Sequence, residues 1–206
     1  IVASLVGSEM CIRDRGTSAK STVDTKHSFG ISLERTTLLG ESGIDLIGQP
    51  GHQEANGPNG ENVGGIRLYD SELTSSNGKL KLTGIGGSGT ILDDSEGIYV
   101  DETTLRASAI DLNGTGGKAA KPNLSDKSTG IRIRQSTLDT GSPALTLTTE
   151  ANGNIVLKGT GGSGKDDISG ISIVDGSTID SSGSIEITGQ GGFGDTLKNV
   201  NGVLIT

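Results

Sequence analysis

Aliphatic residues alternate with polar ones in short runs along the chain, and these runs recur at a regular spacing. The pattern Gly-[Ile/Val]-x-[Leu/Val/Ile] begins at six glycines that are 35, 32, 33, 40 and 32 residues apart, namely Gly30, Gly65, Gly97, Gly130, Gly170 and Gly202. Alternation with a period of two is typical of strands that bury one face. A recurrence of this length indicates a repeat architecture, which has to be recognised before any single motif is interpreted.

Each unit continues in the same order after its first strand. An aliphatic residue follows eight or nine positions after the glycine, at Leu38, Leu73, Leu105, Leu138 and Ile179. A further alternating strand, a glycine cluster and a polar loop complete the unit, with turn residues such as Asn77-Gly78 between the second and third strands. In the longer fourth unit the third strand is predicted at Leu145–Leu147, and Ile155–Leu157 is interpreted as an inserted hairpin.

One such unit cannot bury its own apolar stripe, whereas stacked units can. Stacking would place one interior column at Ile31, Ile66, Ile98, Ile131, Ile171 and Val203, and a second at Leu38 through Ile179. We therefore predict an all-β parallel β-helix, a solenoid with three short strands and about 32 residues per coil. A β-propeller is the rival, but its blades run to about 40–45 residues with Trp or His signatures.

Composition narrows the possible functions. The chain has 206 residues, 35 glycines, 2% aromatic residues and a net charge of -8. That much glycine argues against helical bundles, and no apolar run is long enough for a transmembrane helix. An acidic chain without basic clusters also argues against nucleic acid as a partner.

The first residues differ in composition from the rest. The segment Ser4–Arg15 holds the only methionine and the only cysteine, and it resembles a translated sequencing adapter. We therefore predict that residues 1–29 are a non-native, irregular lead-in and that residues 30–206 are the repeats. The chain is expected to be an internal fragment of a longer protein. Its repeats lack cysteine, which excludes disulfides and thiolate sites there.

Three Gly-x-Gly-x-x-Gly strings begin at Gly84, Gly159 and Gly189. A dinucleotide site would need a helix directly after the string, but another strand pattern follows here. We interpret the strings as tight corners in which glycine adopts a positive φ.

Residues Gly161–Ser169 match the nonapeptide that binds calcium in another kind of β-roll. That chemistry needs tandem copies, and only one copy is present, so a solvated loop is favoured and no cofactor is predicted. Asp166 and Asp167 are the weak candidates for calcium binding. Asp93-Asp94 is a comparable acidic pair in an equivalent loop.

No catalytic residue is predicted. Adjacent carboxylates in a loop do not provide the two separated carboxyl groups that glycoside hydrolysis needs, and no histidine follows His52. Arg132 and Arg134 alternate with apolar residues and are expected to point outward as a small basic spot. Ser and Thr residues recur just before the second aliphatic column, and these are expected to form hydroxyl ladders or turns.

The repeat resembles the long repeat regions of filamentous-haemagglutinin-like exoproteins, which use two-partner secretion, especially the very large cyanobacterial ones. The fifth unit, GISIVDGSTIDSSGSIEITGQGGFGD, carries the resemblance best, and the resemblance extends over Gly30–Thr206. It implies a right-handed β-helical rod that is secreted or displayed at the cell surface. The outer-membrane partner transporter would act through an N-terminal domain that is absent here.

From this resemblance we expect a structural stalk segment of a large secreted or cell-surface adhesin, with roles in adhesion, aggregation or matrix building. Surface glycans or other copies of the chain are further expected partners. The alternatives are a polysaccharide lyase or hydrolase built on a β-helix, and a calcium-dependent surface-layer component. A catalytic groove would break the repetition and gather carboxylates or Arg/Lys residues on one face.

Overall fold

The computed structural model describes residues 5–7, 12–17, 26–50, 60–139, 153–194 and 198–206. Within these ranges the chain forms short strands and one 3-10 helix, Pro122–Leu124. In chain order the strands are β1 (Leu5–Gly7), β2 (Ile12–Thr17), β3 (Lys26–Glu34), β4 (Thr37–Gly40), β5 (Gly43–Gln49), β6 (Gly60–Tyr69), β7 (Glu72–Ser75), β8 (Lys79–Ile85), β9 (Ser88–Gly89), β10 (Leu92–Asp93), β11 (Ile98–Asp101), β12 (Thr104–Arg106), β13 (Ala109–Thr115), β14 (Lys118–Ala119), β15 (Ile131–Arg134), β16 (Thr137–Asp139), β17 (Ile155–Thr160), β18 (Ile171–Val174), β19 (Thr178–Asp180), β20 (Ile185–Gln190) and β21 (Val203–Ile205).

The strands form three long parallel sheets, and each coil contributes one strand to each sheet. Sheet I contains β3, β6, β11, β15, β18 and β21, with β10 beside the start of β6. Sheet II contains β1, β4, β7, β12, β16 and β19, and sheet III contains β2, β5, β8, β13, β17 and β20. The predicted parallel β-helix is thus confirmed, as a solenoid of about 5 turns that lie roughly 33 residues apart.

The interior consists of aliphatic columns that run through successive coils. In sheet I, Ile66 pairs with Ile31 and Ile98, and the same register continues through Ile131 and Ile171 to Val203. Sheet II aligns Leu38, Leu73, Leu105, Leu138 and Ile179. The register of both predicted columns is confirmed, but Val203 at the last position is 38% exposed and is not interior. The interior coils bury the same positions, so each of them supplies the apolar surface that its neighbours need.

The interpretation of the fourth unit was wrong in one respect. Ile155–Thr160 is not an inserted hairpin, because β17 pairs with β13 on one side and β20 on the other as the regular third strand of its coil. Ile155 and Leu157 are fully buried there. The third strand predicted at Leu145–Leu147 lies outside the described residues.

The described parts of the lead-in continue the sheets. β1 pairs with β4, β2 pairs with β5, and β3 already includes residues before Gly30. Their pairing does not bear on where the segment comes from, and its likeness to a sequencing adapter stays a prediction.

A ladder of hydroxyl groups holds the corner between sheets I and II, as the recurring Ser and Thr predicted. The Ser136 hydroxyl donates to the Arg134 carbonyl at 2.8 Å and accepts from the Thr103 backbone N–H at 3.3 Å. Thr103 makes the same pair of bonds, to the Asp101 carbonyl at 2.8 Å and from the Ser71 N–H at 3.3 Å. Each hydroxyl therefore pairs a backbone N–H of one coil with a carbonyl of the next.

A residue one position before the hydroxyl turns the chain in four coils, and in the fifth coil Asp175 does so two positions before Ser177. Arg35, Asp70, Glu102, Gln135 and Asp175 all adopt positive φ, between 47° and 58°. A second column of positive φ lies three residues before the glycine that opens each of five repeats, at Asn62, Asp94, Lys127, Asp167 and Asn199. Non-glycine residues rarely adopt this conformation, and Asn and Asp do so at the lowest cost.

The glycine strings have a different cause from the one predicted. Gly84, Gly159 and Gly189 do not have positive φ; in the described chain that conformation is adopted by only two glycines, Gly43 and Gly176. A Cβ atom on Gly84 or Gly159 would instead overlap the carbonyl oxygen of the glycine that opens the next sheet I strand. Close backbone approach therefore explains these glycines.

Candidate functional site: the Arg–Tyr face

The outward face of sheet I carries several long planar side chains. We call Arg67, Tyr69, Tyr99, Arg132 and Arg134 the Arg–Tyr face. Both tyrosines of the sequence belong to it. Register places Tyr99 between Arg67 and Arg132 in neighbouring coils, because these positions alternate with buried aliphatic residues along β6, β11 and β15. The outward orientation predicted for Arg132 and Arg134 is confirmed.

Guanidinium groups stack against the aromatic rings on this face. The Arg67 guanidinium carbon lies 5.2 Å from the Tyr69 ring centroid and 5.9 Å from that of Phe29. The Arg132 guanidinium carbon lies 6.0 Å from the Tyr99 centroid. Cations within about 6 Å of a ring are attracted by its negative face. Aromatic rings of the same coil and of the preceding coil thus contact these arginines.

Carboxylates neutralise these arginines, so the predicted basic spot is wrong as a statement about charge. Arg67 pairs with Glu34 at 3.6 Å. Arg134 Nε lies 3.7 Å from Asp101 and 3.3 Å from Asp175. The sequence could not reveal this, because the partners belong to other coils or to the corner.

A hydrogen bond between Tyr99 and Asp101 stiffens the same region. The Tyr99 hydroxyl donates to Asp101 Oδ2 at 2.8 Å, and the Asp101 side chain is buried. Burial, together with this bond, raises the pKa of Tyr99 to about 12. Tyr99 therefore stays protonated and acts as a donor. The nearby Asp101 carboxylate raises the pKa of Arg134, which stays cationic.

Glu96 is a buried carboxylate behind this face, and our sequence analysis did not single it out. It directly precedes Gly97, and it is only 4% exposed. Burial, and then the negative charge of Asp94, raises the pKa of Glu96 to about 7, although Arg132 opposes the rise. The Arg132 guanidinium is 3.4 Å from Glu96 and 3.8 Å from Asp94, so two carboxylates share one cation.

This arrangement can hold a proton near neutral pH and position Arg132. A carboxyl group with a raised pKa beside an ionised one is also the pattern of general acid–base pairs. Glu96 is nevertheless covered, so a substrate would reach Arg132 and Asp94 before it reached Glu96.

The structure places the calcium candidates Asp166 and Asp167 in the loop that precedes β18. The backbone of Asp126 forms isolated parallel β-bridges with Asp93 and with Asp166, so one aspartate from each of three coils stands in a column. Lys165 forms ion pairs with two of these aspartates, with its Nζ 3.4 Å from Asp166 and 3.9 Å from Asp126. In the part of the chain that the structure describes, no group of three or more His, Cys, Asp or Glu residues could hold a metal ion.

The fold and this face define a parallel β-solenoid with a charge-paired, aromatic and arginine-rich sheet surface. No significant match is found among protein-family models, curated proteins or solved structures. The described residues contain no helix with the length and apolar character needed to span a membrane.

Proposed function

We propose that the chain is a structural stalk segment of a large secreted or cell-surface adhesin, in which the repeat region acts as a spacer. The observation that carries the proposal is the continuous register of sheet I from Ile31 to Val203, without a break between coils. A regular stack of this kind can act as a spacer without binding or catalytic residues in its coils. Strands in adjacent coils lie about 4.8 Å apart, so every added coil lengthens the rod by that amount.

The surface suits such a spacer. Several outward-facing charged side chains pair across coils, as Lys79 does with Asp111 at 2.9 Å and Arg67 with Glu34 at 3.6 Å. The net charge of -8 opposes non-specific association of the rods. As an adhesin segment, the chain would be exported by an outer-membrane partner transporter, would be extracellular, and would contact glycans or other copies of itself.

Sequencing the complete locus tests this proposal. We expect a long reading frame with many further repeats, an N-terminal secretion domain and a neighbouring transporter gene. A short frame without a secretion domain, ending soon after the codon for Thr206, would overturn the proposal.

A carbohydrate-active enzyme is the second candidate, and Glu96 is the observation that favours it. A buried carboxylate with a pKa of about 7 next to Asp94 and Arg132 provides a potential acid–base group. An assay of the purified chain with acidic and neutral polysaccharides tests it, with new reducing ends and unsaturated products as readouts. Turnover that disappears in Glu96→Gln but persists in Glu186→Gln, an exposed control, would favour the enzyme over the stalk.

A further inference from the structure

A pocket of about 170 Å³ opens on the outward face of sheet I, directly beyond Arg132. The column to which Arg132 belongs carries Arg67 and Tyr99 in the preceding coils, and then Ser172 in the following coil. This sudden loss of side-chain volume leaves a notch. Leu204, the next residue of the column, closes the notch on the far side.

Two serine residues with little exposed surface line this pocket. Ser169 is 3% exposed and Ser172 is 9% exposed, and both residues line the pocket. Neither hydroxyl makes a hydrogen bond to another residue in the described part of the chain. A serine hydroxyl can donate one hydrogen bond and accept others. These two hydroxyls are therefore free to bind a polar ligand.

The charged residues around the pocket balance one another. Arg132 and Lys127 supply donors, and Asp167 supplies acceptors. Behind them Asp94 pairs with Lys127 at 3.4 Å and with Arg132 at 3.8 Å. With Glu96 included, two cations face three carboxyl groups, so the local charge is about −1 when all are ionised and 0 when Glu96 is protonated. Neither state attracts an anion.

One wall of the pocket is apolar. Val174 and Leu204 are the apolar residues that line it. A ligand that fits must therefore combine an apolar face with several hydroxyl groups that both donate and accept hydrogen bonds. A volume of about 170 Å³ is smaller than the pockets that hold drug-sized molecules, and it limits the ligand to a single ring.

We propose that this pocket binds one ring of an uncharged sugar. The hydroxyl groups of the sugar would pair with Ser169, Ser172 and Asp167, and its C–H face would pack on Leu204. This inference rests on the proposed function and deepens it, because it places a glycan contact of the adhesin on the stalk itself. For a ligand this small, a dissociation constant on the order of millimolar is expected.

NMR titration of the isotope-labelled chain tests the inference, with the methyl signals of Val174 and Leu204 as reporters. The probes are methyl glucoside, methyl galactoside and glucuronate. We expect at least one neutral glycoside to shift both reporters, and glucuronate to bind more weakly. Absence of a shift with either neutral glycoside well above the expected constant, or tighter binding of glucuronate, would overturn the inference.

Ser172→Leu fills the notch, and Ser32→Leu is its matched control. Ser32 is an exposed residue at the same outward column in an earlier coil. We expect Ser172→Leu to weaken the neutral glycoside by about tenfold or more and Ser32→Leu to leave its affinity unchanged, while circular dichroism reports the folding of both. Equal binding by wild type and Ser172→Leu would contradict the site. Failure here leaves the stalk proposal standing, since that proposal depends on the locus.

Discussion

The surroundings of Glu96 raise the pKa of its carboxyl group to about 7. Its carboxyl group is buried against Arg132, while Asp94 competes for the same guanidinium. Desolvation disfavours the charged form of a carboxyl group, and a like charge nearby adds to that effect. Among the ionisable groups whose placement is described, this residue ties the stability of the coil most directly to pH.

Replacement of Glu96 by Gln should change stability in a pH-dependent way. The stability of the variant relative to wild type should be higher at alkaline pH than at acidic pH. The folded-state pKa of about 7 exceeds the ordinary value of 4.5. The folded state is therefore favoured below pH 4.5, and it loses this advantage as the pH rises to 7. The free energy of unfolding of Glu96→Gln minus that of wild type should rise by about 3 kcal/mol between pH 4.5 and 8, as urea unfolding would measure.

An exposed glutamate provides the control for that measurement. Glu186 is 57% exposed and pairs with Lys158 at 3.9 Å, so Glu186→Gln should leave the pH dependence of wild type intact. A pH profile of Glu96→Gln that parallels wild type would contradict the role of Glu96.

The hydroxyl ladder makes a second prediction for single residues. Thr103 is 1% exposed, and its hydroxyl satisfies the Ser71 N–H and the Asp101 carbonyl. Thr103→Val keeps the shape but leaves the Ser71 N–H unpaired, whereas the Asp101 carbonyl still accepts from the Asp70 N–H at 3.1 Å. The unpaired N–H should cost about 2 kcal/mol of unfolding free energy. Thr103→Ser keeps the hydroxyl and should recover most of that loss in the same urea unfolding experiment. Equal loss in both variants would mean that packing of the methyl group matters more than the hydrogen bonds.

At the scale of elements, the strands and their register can be predicted from the sequence, but the geometry of the corners cannot. Ile66, Ile98 and Ile131 align because each coil repeats one apolar position, and spacing alone reveals such a repeat. The positive φ of Glu102 and Gln135 carries no such signal, since these residue types vary from coil to coil. The shared cation of Glu96 and Asp94 was also beyond reach, because it depends on Arg132 in the next coil.

Two positions require glycine for different reasons, one because of space and the other because of backbone conformation. A Cβ on Gly114 would overlap the Gly130 carbonyl oxygen, whereas Gly176 has φ of 73° and open space around it. Gly114→Ala should cost about 3 kcal/mol or more of unfolding free energy, because the backbone contact leaves little room to relax. Gly176→Asn should cost less than about 1 kcal/mol, since Asn tolerates positive φ. Thermal melting of both variants would measure this, and similar losses would contradict the distinction.

For the whole molecule, stability should depend on the position of a coil in the stack. Coils in a solenoid contact only their neighbours, so the interior ones have two interfaces. Two aliphatic residues of sheet III illustrate this rule. Leu112 in β13 is fully buried, whereas Ile185 in β20 is 47% exposed. Amide exchange should therefore be slowest in β11–β13 and fastest in β19–β21.

Two truncations of aliphatic side chains test whether the coils behave as a one-dimensional stack. Leu112→Ala removes a fully buried side chain from an interior coil and should cost about 3 kcal/mol. It should accelerate amide exchange in the coils on both sides, because it weakens two interfaces. Ile187→Ala, at a partly buried position in β20, should accelerate exchange mainly in β17–β21 and leave β4–β8 unchanged. Hydrogen exchange with mass spectrometry resolves these segments. Uniform acceleration along the chain in both variants would mean that the solenoid unfolds as one cooperative unit, and the nearest-neighbour description would then fail.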